Sequence, residues 1–434
     1  MKNSQTFLPD IQWIARKAAE APEFVFQRIA HHIDEELLTE AFHRLRKDAA
    51  PGIDGQTAAE YAQGLTENLR DLHERLRTLT YRATPIKRTW IPKEDGSQRP
   101  IGILILEDKI VQKAVAMLLE EVFEQDFYEF SYGFRPGRSP HKALHAVREW
   151  IQRWNISWIL DVDIRQFFDT VDRESVFDLL HGRVNDGGID RLLGKWFNVG
   201  ILDGDQLSYN DLGTPQGGVI SPIIANIYLH YVLDDWFVTE VKPRLKGRCF
   251  LIRFADDAIL GFEYEEDARR VMEVLPKRFE KYGLRIHPQK TRLVRFIRPA
   301  RGAKKDRRNG TFDFLGFTHY LAKSRQGYWV VKRRTIRKRL RRAISRYAQW
   351  CKFNRHLPVK EQWEKLSQKL RGYYQYFGIR GNYDSIYWVY YTLRSAWRRW
   401  LSRRSQKGGI NWDTFQKILD TFPLLKPRIV QRWV

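Results

Sequence analysis

The chain has 434 residues with 75 Lys+Arg and 52 Asp+Glu, which gives a formal net charge of +23. This length predicts two or three domains, and a hydrophobic content of 43% excludes a disordered polycation. Two cysteines, 102 positions apart, exclude a disulfide scaffold and a Cys-rich zinc module and predict a cytoplasmic protein. No apolar run is long enough for a membrane span, and we expect neither a secretory leader nor a membrane partner.

The surplus of positive charge lies in the C-terminal part of the chain. Residues 321–434 hold 28 basic and 5 acidic side chains, whereas residues 1–320 have no net charge. Eight of the 15 Trp residues also follow residue 320. A row of Arg on a helix is usually a solvated face, but this much uncompensated charge favours a polyanion partner. The interleaved aromatic residues favour structured RNA with unpaired bases, on which such rings stack.

In the first 200 residues the pattern predicts both helices and short strands. Helices joined by a turn-rich loop at 50–55 fill the first 80 residues and include an amphipathic helix over 33–45. The next predicted elements are a hairpin of strands 86–92 and 99–104, an amphipathic helix over 108–123 and a short apolar strand over 156–163.

The second half continues this mixture and ends in helices. The predicted elements are a helix over 221–236, an apolar hairpin over 250–262, a helix over 267–282, and strands over 293–296 and 312–317. Beyond residue 320, one helical face is formed by Ile336, Leu340, Ile344, Tyr347 and Cys351. Two further helices are predicted near 360–377 and 385–402, and we place a domain boundary near residue 320.

Three acidic residues stand at the ends of predicted strands. Asp163 closes the strand that begins near residue 156, and Asp256 and Asp257 occupy the turn of the second hairpin. Each taken alone is explained by ordinary turn chemistry. Together they suggest a shared site for two Mg²⁺ ions about 4 Å apart, which serve in-line displacement at phosphorus.

Three motifs in a fixed order resemble those of a known family. They are YGFRPGRS at 132–139, GTPQGGVISP at 213–222 and FADD at 254–257. The chain resembles a group II intron-encoded reverse transcriptase/maturase from the loop at 50–55 to about residue 404, without the paired cysteines of the HNH endonuclease that many relatives carry. The family usually has Tyr where this chain has Phe254, a change that removes a hydroxyl and keeps the ring.

The resemblance implies an α+β fold of the right-hand polymerase type. Fingers and a palm with an antiparallel sheet backed by helices would be followed by an all-helical thumb, the maturase or X domain. We expect an N-terminal helical extension with the fingers loop over 1–80, fingers and palm over 81–320, thumb over 321–404 and a short basic tail over 405–434, a possible DNA-binding remnant.

Carried onto matching positions, the resemblance also implies the roles of individual residues. The catalytic, Mg²⁺-binding residues would be Asp163, Asp256 and Asp257. Asp161 lies two residues before Asp163 on the same strand and so on the same face, and its orientation therefore does not exclude it as a ligand. The nucleotide-binding residues would be Lys93, Arg99, Phe168, Gln216 and Lys290. The nucleic-acid-binding residues would be Arg135, Arg138, Leu315, Gly316, Arg371, Tyr373 and Tyr374.

Simpler interpretations remain open for several of these residues. Lys93 and Arg99 flank a tight turn, where they bind the triphosphate or are merely solvated. Phe168 is either a steric gate under the sugar or part of a core. The stretch 314–317 is either a glycine hairpin that grips the primer or a buried strand.

The resemblance implies an RNA-directed DNA polymerase that also binds its intron RNA to promote splicing and moves by target-primed reverse transcription. The expected partners are group II intron RNA, a DNA target and primer, and deoxynucleoside triphosphates. Two alternatives are a domesticated or defence-associated reverse transcriptase without an intron, and a non-catalytic RNA-binding splicing factor. The intact Asp163, Asp256 and Asp257 argue against the second alternative.

Overall fold

The computed structural model describes residues 9–92, 98–204, 206–209, 217–304, 306–404 and 409–433, with the backbone alone at 9, 10, 168 and 169. Its α-helices before residue 200 are α1 (Pro9–Glu20), α2 (Glu35–Arg44), α3 (Ala58–Tyr61), α4 (Leu65–Arg77), α5 (Leu106–Phe123), α6 (Pro140–Arg153), α7 (Phe167–Thr170), α8 (Arg173–His181) and α9 (Gly187–Phe197). The later ones are α10 (Ser221–Leu229), α11 (Glu265–Glu280), α12 (Arg337–Phe353), α13 (Val359–Phe377), α14 (Tyr383–Leu401) and α15 (Trp412–Thr421). Helix α10 continues through π-helical turns to Val241.

Within the described residues, the strands form three small sheets. Their bounds are β1 (Ile86–Pro92), β2 (Gln98–Ile103), β3 (Trp158–Val162), β4 (Ile201–Asp203), β5 (Gln206–Ser208), β6 (Cys249–Phe254), β7 (Asp257–Phe262), β8 (Arg292–Arg295), β9 (Phe312–Phe314), β10 (Phe317–Lys323) and β11 (Trp329–Thr335). The strand orders are β2-β1-β4-β5, β6-β7-β3-β8 and β11-β10-β9. Strands β1 and β2 pair antiparallel from Lys87 opposite Ile103 to Pro92 opposite Gln98, as expected for a hairpin, whereas β1 and β4 are parallel.

The chain divides into two compact units. The first comprises residues 1–139, 162–260 and 266–292, and the second comprises residues 140–161, 261–265 and 293–434. The predicted fingers, palm and thumb are functional subdomains, which compactness does not test, so their boundaries stay predictions. No helix of the described segments is long and apolar enough to cross a membrane.

Helix α5 forms the centre of the core in the first unit. The sequence predicts an amphipathic helix here, but buried residues occur on nearly all of its faces, among them Ile110, Val115 and Leu119. The reason is that α1, α2 and α10 all pack against it. Arg183, which is 4% exposed, fastens the end of α1 by donating to the carbonyls of Ala18, Ala21 and Phe24 and to Asp126.

The core of the second unit lies among its C-terminal helices. Cys351 of α12, Leu370 of α13, Trp397 of α14 and Phe415 of α15 are all fully or almost fully buried in one cluster. Helix α15 therefore belongs to this core, although the sequence predicts only a short tail after residue 404. The side-chain amide of buried Gln362 links two parts of the cluster. Its oxygen accepts from the Trp397 indole N–H, and its nitrogen donates to the carbonyl of Leu357, just before α13.

Most predicted elements are confirmed, and the main differences arise at turns. The predicted strand over 312–317 is two strands, because Leu315 and Gly316 have φ angles of 46° and 85° and reverse the chain between β9 and β10. Strand β10 continues past residue 320 and pairs with β11, which the sequence does not predict. Strand β11 (WVVKRRT) carries three basic residues, so its alternating pattern was hidden by charge.

Candidate active site

The turn between β6 and β7 carries the two neighbouring acidic residues. Almost all residues of both strands are buried, so packing in the core holds each strand of the hairpin in place. Ala255 has a φ of 56°, the left-handed region that non-glycine residues seldom adopt. This single residue closes a tight turn, which leaves Asp256 partly exposed and Asp257 exposed at the tip.

A buried ion pair supports this turn from below. The guanidinium of Arg253, the residue before Phe254, donates to Asp234 at 2.6 Å, and both side chains are 0% exposed. Its Nη1 also donates to Asn226 Oδ1 at 2.9 Å and to the Ala255 carbonyl at 3.2 Å. The Asp234 carboxylate and the Asn226 amide thus hold the guanidinium that donates to Ala255, the left-handed residue of the turn.

The YGFRPGRS motif packs against the same turn. The start of the motif and the residues just before it pair with Arg253, whose carbonyl accepts from the Tyr132 N–H at 2.8 Å and whose N–H donates to the Phe130 carbonyl at 3.0 Å. The Asn226 amide donates to the Gly133 carbonyl at 2.8 Å. A Cβ on Gly133 would lie 2.2 Å from the Ala255 nitrogen, so only glycine permits this contact.

Arg135 of this motif is a correction to the sequence-based expectation. It is 7% exposed, and its guanidinium donates to Glu124 and to the backbone carbonyls of Phe127, Tyr128 and Ser131. These bonds use all five of its donors, so none is left for a phosphate. Arg138 differs, because its side chain pairs at 2.7 Å with Glu129, which is itself exposed; its predicted contact with nucleic acid stays a prediction.

Asp163 follows β3 and is positioned by residues 285–291. Its carbonyl accepts from the His287 N–H at 2.8 Å, and its own N–H donates to the Thr291 hydroxyl at 3.2 Å. An antiparallel bridge joins Ile164 to Ile286. Lys290 lies in this segment with its Nζ 3.4 Å from Asp163 Oδ2, so the segment brings a cation to the carboxylate.

The charges at the turn act on one another. Burial raises the pKa of Asp256 above its ordinary value, and the negative charge of Asp163 raises it further. The guanidinium of Arg99 on β2 and that of Arg253 oppose this shift of the Asp256 pKa. Asp163 and Arg99 are therefore both within electrostatic reach of Asp256, although the three residues come from three separate parts of the sequence.

These carboxylates fit a divalent cation in their chemistry. Among the residues that the structure describes, His, Cys, Asp and Glu side chains form no group of three or more that could hold a metal ion. Carboxylate oxygens are nevertheless the donors that Mg²⁺ takes, and a partly buried Asp256 with a raised pKa beside Asp163 is a position where a cation would stabilise the charged form.

The GTPQGGVISP motif is described from Gly217 onward. Gly217 has a φ of 105°, and a Cβ there would lie 2.5 Å from the Gly102 carbonyl, so the chain runs directly against β2. The buried side chain of Gln112 accepts from the N–H groups of Val219 and Ile220 at 2.8 and 3.3 Å. Helix α5 thus fixes the segment that leads from this motif into α10.

In the second unit, residues 314–317 form a hairpin turn rather than a continuous strand. The Leu315 carbonyl accepts from the Tyr376 hydroxyl at 2.9 Å, and a Cβ on Gly316 would lie 2.7 Å from Arg339 Nη1. Of the two interpretations of this stretch, the structure has the glycine hairpin. Whether it holds a primer stays a prediction.

Two further residues that were predicted to bind nucleic acid lie on α13 and are buried. Tyr373 and Tyr374 are 8% and 0% exposed and belong to the core of the second unit, where the Tyr374 hydroxyl donates to the Leu425 carbonyl. They are therefore not available to RNA. Arg371 is exposed on the same helix, and its contact with nucleic acid stays a prediction.

Three predicted nucleotide-binding groups lie outside the described residues. They are Lys93, Gln216 and the side chain of Phe168. Their roles stay predictions.

The residues that support the turn were missed at the sequence level. Arg253 and Asn226 each stand as an isolated polar residue inside an apolar stretch, CFLIRF and IIANI respectively, whereas Asp234 is followed directly by Asp235 in HYVLDD. Such isolated polar residues are a usable signal, because a buried charge needs a partner. The sequence could indicate that these side chains are buried, but it could not show which of them bond to one another.

We expect Arg253→Met to lower the free energy of unfolding of the first unit by about 3–5 kcal/mol, because Asp234 is left buried without a partner. The double variant Arg253→Met/Asp234→Leu should recover most of this loss, since no uncompensated charge remains. Urea unfolding of the variants measures both effects. Equal stability of Arg253→Met and the unchanged chain would contradict the expectation.

Comparison with known proteins gives the family of this chain. Residues 91–319 match the family model described as "Reverse transcriptase (RNA-dependent DNA polymerase)". "Protein YkfC" of Escherichia coli (strain K12) is 35% identical, with 73% of this chain and 88% of the relative covered. "Group II intron-encoded protein LtrA" of Lactococcus lactis subsp. cremoris is 28% identical, with 68% and 52% covered, and the "Putative COX1/OXI3 intron 1 protein" of Saccharomyces cerevisiae is 25% identical, with 89% and 56% covered.

The chain spans about half the length of the Lactococcus and yeast relatives. The family match covers more than half of the chain and includes the described site residues Asp163, Asp256, Asp257 and Lys290. The chain therefore belongs to the reverse transcriptase (RNA-dependent DNA polymerase) family, where its relatives group it with the group II intron-encoded reverse transcriptases/maturases.

Proposed function

We propose that this protein is an RNA-directed DNA polymerase. The observation that carries the proposal is the placement of Asp163 and Asp257 at ends of the neighbouring strands β3 and β7, with Lys290 3.4 Å from Asp163 and the β6–β7 turn held by the buried Arg253–Asp234 pair. Two carboxylates beside a cation suit a reaction in which a triphosphate must be bound and its phosphorus attacked.

In the proposed reaction, the 3′-hydroxyl oxygen of a primer attacks the α-phosphorus of a deoxynucleoside triphosphate. The bond from that phosphorus to the leaving oxygen breaks, pyrophosphate departs and the hydroxyl proton is lost. Asp163, Asp256 and Asp257 would hold two Mg²⁺ ions, which would supply positive charge to stabilise the negative charge that develops in the reaction.

The remaining residues of the site would bind and orient the substrate. Arg99 on β2 would contact the triphosphate as a planar fork, together with Lys93. Lys290, 3.4 Å from Asp163, would balance the charge of that carboxylate until a phosphate arrives. Phe168 would exclude a 2′-hydroxyl, and Gln216 would lie beside the templating pair.

We also propose a maturase function in which the protein binds its intron RNA. Support comes from the 28 basic and 5 acidic side chains of residues 321–434 and from the relatives, two of which are named as intron proteins. Splicing chemistry would belong to the RNA, and the protein would position it by phosphate contacts. Mobility would follow when the same polymerase copies the intron RNA from a primer at a DNA target.

Asp256→Asn should lower DNA synthesis on a primed RNA template by roughly a thousandfold or more, because several kcal/mol of charge stabilisation are lost. Extension of an oligo(dT) primer on poly(rA) with labelled dTTP measures the rate. Asp178→Asn is the matched control, since Asp178 is an exposed residue of α8. Synthesis that survives Asp256→Asn would refute the site assignment, and a lack of synthesis by the unchanged chain would refute the polymerase function.

Phe168→Ala should admit ribonucleotides, because removal of the ring removes the clash with a 2′-hydroxyl. We expect the ratio of ribonucleotide to deoxyribonucleotide incorporation to rise about tenfold or more. The same extension assay with each triphosphate in turn measures it. Phe168→Tyr keeps the ring and should retain selectivity; an unchanged ratio for Phe168→Ala would show that Phe168 is not the gate.

The maturase proposal predicts that one structured intron is recovered with the protein. Crosslinking in the host followed by sequencing of the bound RNA provides the measurement. Recovery of a single group II intron would also separate this function from a reverse transcriptase that works without an intron. Recovery of unrelated RNAs alone would refute the maturase function and leave the polymerase function standing.

A further inference from the structure

Helix α14 has a row of exposed aromatic side chains that its own core does not use. Tyr383, Tyr387, Trp388 and Tyr391 are 47%, 47%, 51% and 47% exposed. The opposite face of the same helix is buried and contains Ile386, Val389, Leu393 and Trp397. The core of the second unit is therefore complete without the four exposed rings, which remain in contact with solvent.

The exposed rings are arranged in two stacked pairs. The ring centroids of Tyr383 and Tyr387 are 6.2 Å apart with 23° between their planes. Those of Trp388 and Tyr391 are 5.9 Å apart with 21° between their planes. Single exposed aromatic residues need no explanation, but four on one helical face form a contiguous apolar surface of the kind that marks a binding site.

The row continues into positive charge along the helix. Steps of three and four residues lead from Tyr391 to Arg394 and Arg398, which puts them on the same face. Both guanidinium groups lie over the ring of Trp412 on α15, at 5.2 and 4.4 Å from its centroid. From Tyr383 to Arg398 the face extends about 22 Å along the helix.

We propose that the stacking face, formed by Tyr383, Tyr387, Trp388 and Tyr391, binds unpaired bases of an RNA strand, while Arg394 and Arg398 contact its phosphates. This inference rests on the RNA binding proposed above and names the part of the RNA that this face recognises. Flat exposed rings can stack on a base only where that base is not already stacked in a helix.

Charge favours this occupant over a second protein. Helix α14 contains three Arg and a single Asp, and the whole segment 321–434 has a surplus of 23 positive charges. Two copies of such a segment repel each other, whereas a nucleic acid strand neutralises the charge and supplies the rings with partners. Stacking does not read base identity, so the face would accept any unpaired sequence.

The test compares a single-stranded RNA with a duplex of the same length, using the full chain. Fluorescence anisotropy with labelled oligo(U) and with an RNA duplex gives both affinities at several salt concentrations. Tyr387→Ala/Trp388→Ala should weaken oligo(U) binding about tenfold or more. Its salt dependence should stay the same, because no phosphate contact is lost, and duplex binding should change by less than about twofold.

Two control variants separate stacking from general damage. Tyr264→Ala removes an equally exposed ring, 50% exposed, outside the stacking face and should leave both affinities unchanged. Tyr387→Phe keeps the ring and should bind as the unchanged chain does. If the double variant unfolds, Tyr391→Ala alone replaces it, and thermal unfolding checks each variant.

The outcomes distinguish this inference from the function on which it rests. Unchanged oligo(U) affinity in a folded double variant would overturn the stacking face and leave RNA binding in place. Unchanged oligo(U) affinity together with a change in oligomeric state would assign the face to a second copy of the chain, which also overturns the inference. No RNA binding by the unchanged chain would overturn the proposed RNA-binding function itself.

Discussion

The candidate active site depends on one charged pair that water does not reach. Arg253 and Asp234 are both 0% exposed and 2.6 Å apart, and the same guanidinium bonds the carbonyl of Ala255, the left-handed residue of the turn. Breaking such a pair leaves an uncompensated charge in the interior, so the pair gives the turn a single arrangement. The position of Asp256 follows from that arrangement.

Arginine has two separate uses in this chain. In the first unit, Arg253, Arg183 and Arg135 donate to carboxylates and backbone carbonyls and hold loops in place. In residues 321–434, by contrast, 28 basic residues face only 5 acidic ones, so acidic side chains cannot neutralise them. The neutral first 320 residues therefore include arginines that stabilise the fold. The charge of the basic segment, by contrast, favours a polyanion as its partner.

Several features of the fold could be predicted from local pattern alone. The hairpin β1–β2, the strand β3 and the helices α12 to α14 are where alternation and helical spacing place them. Helix α5 also lies where the pattern places it, but the helices around it bury the face that was expected to be polar. Strand β11 was not predicted, because Lys332, Arg333 and Arg334 conceal its alternation. In both cases the packing partners, which are distant in sequence, decide burial.

By itself the sequence determined which chemical groups the protein has and where its charge lies. Strand ends are local properties, so the sequence could place Asp163, Asp256 and Asp257 there as candidates, and the family resemblance supplied their expected role. Only the tertiary structure decided which polar groups are buried: Arg135, Tyr373 and Tyr374 belong to the interior, whereas Tyr387 and Trp388 are exposed. It also brought Asp163 to Thr291, 128 positions away. Burial and pairing depend on contacts between segments that are distant in the sequence, and local patterns of residues do not show which segments meet.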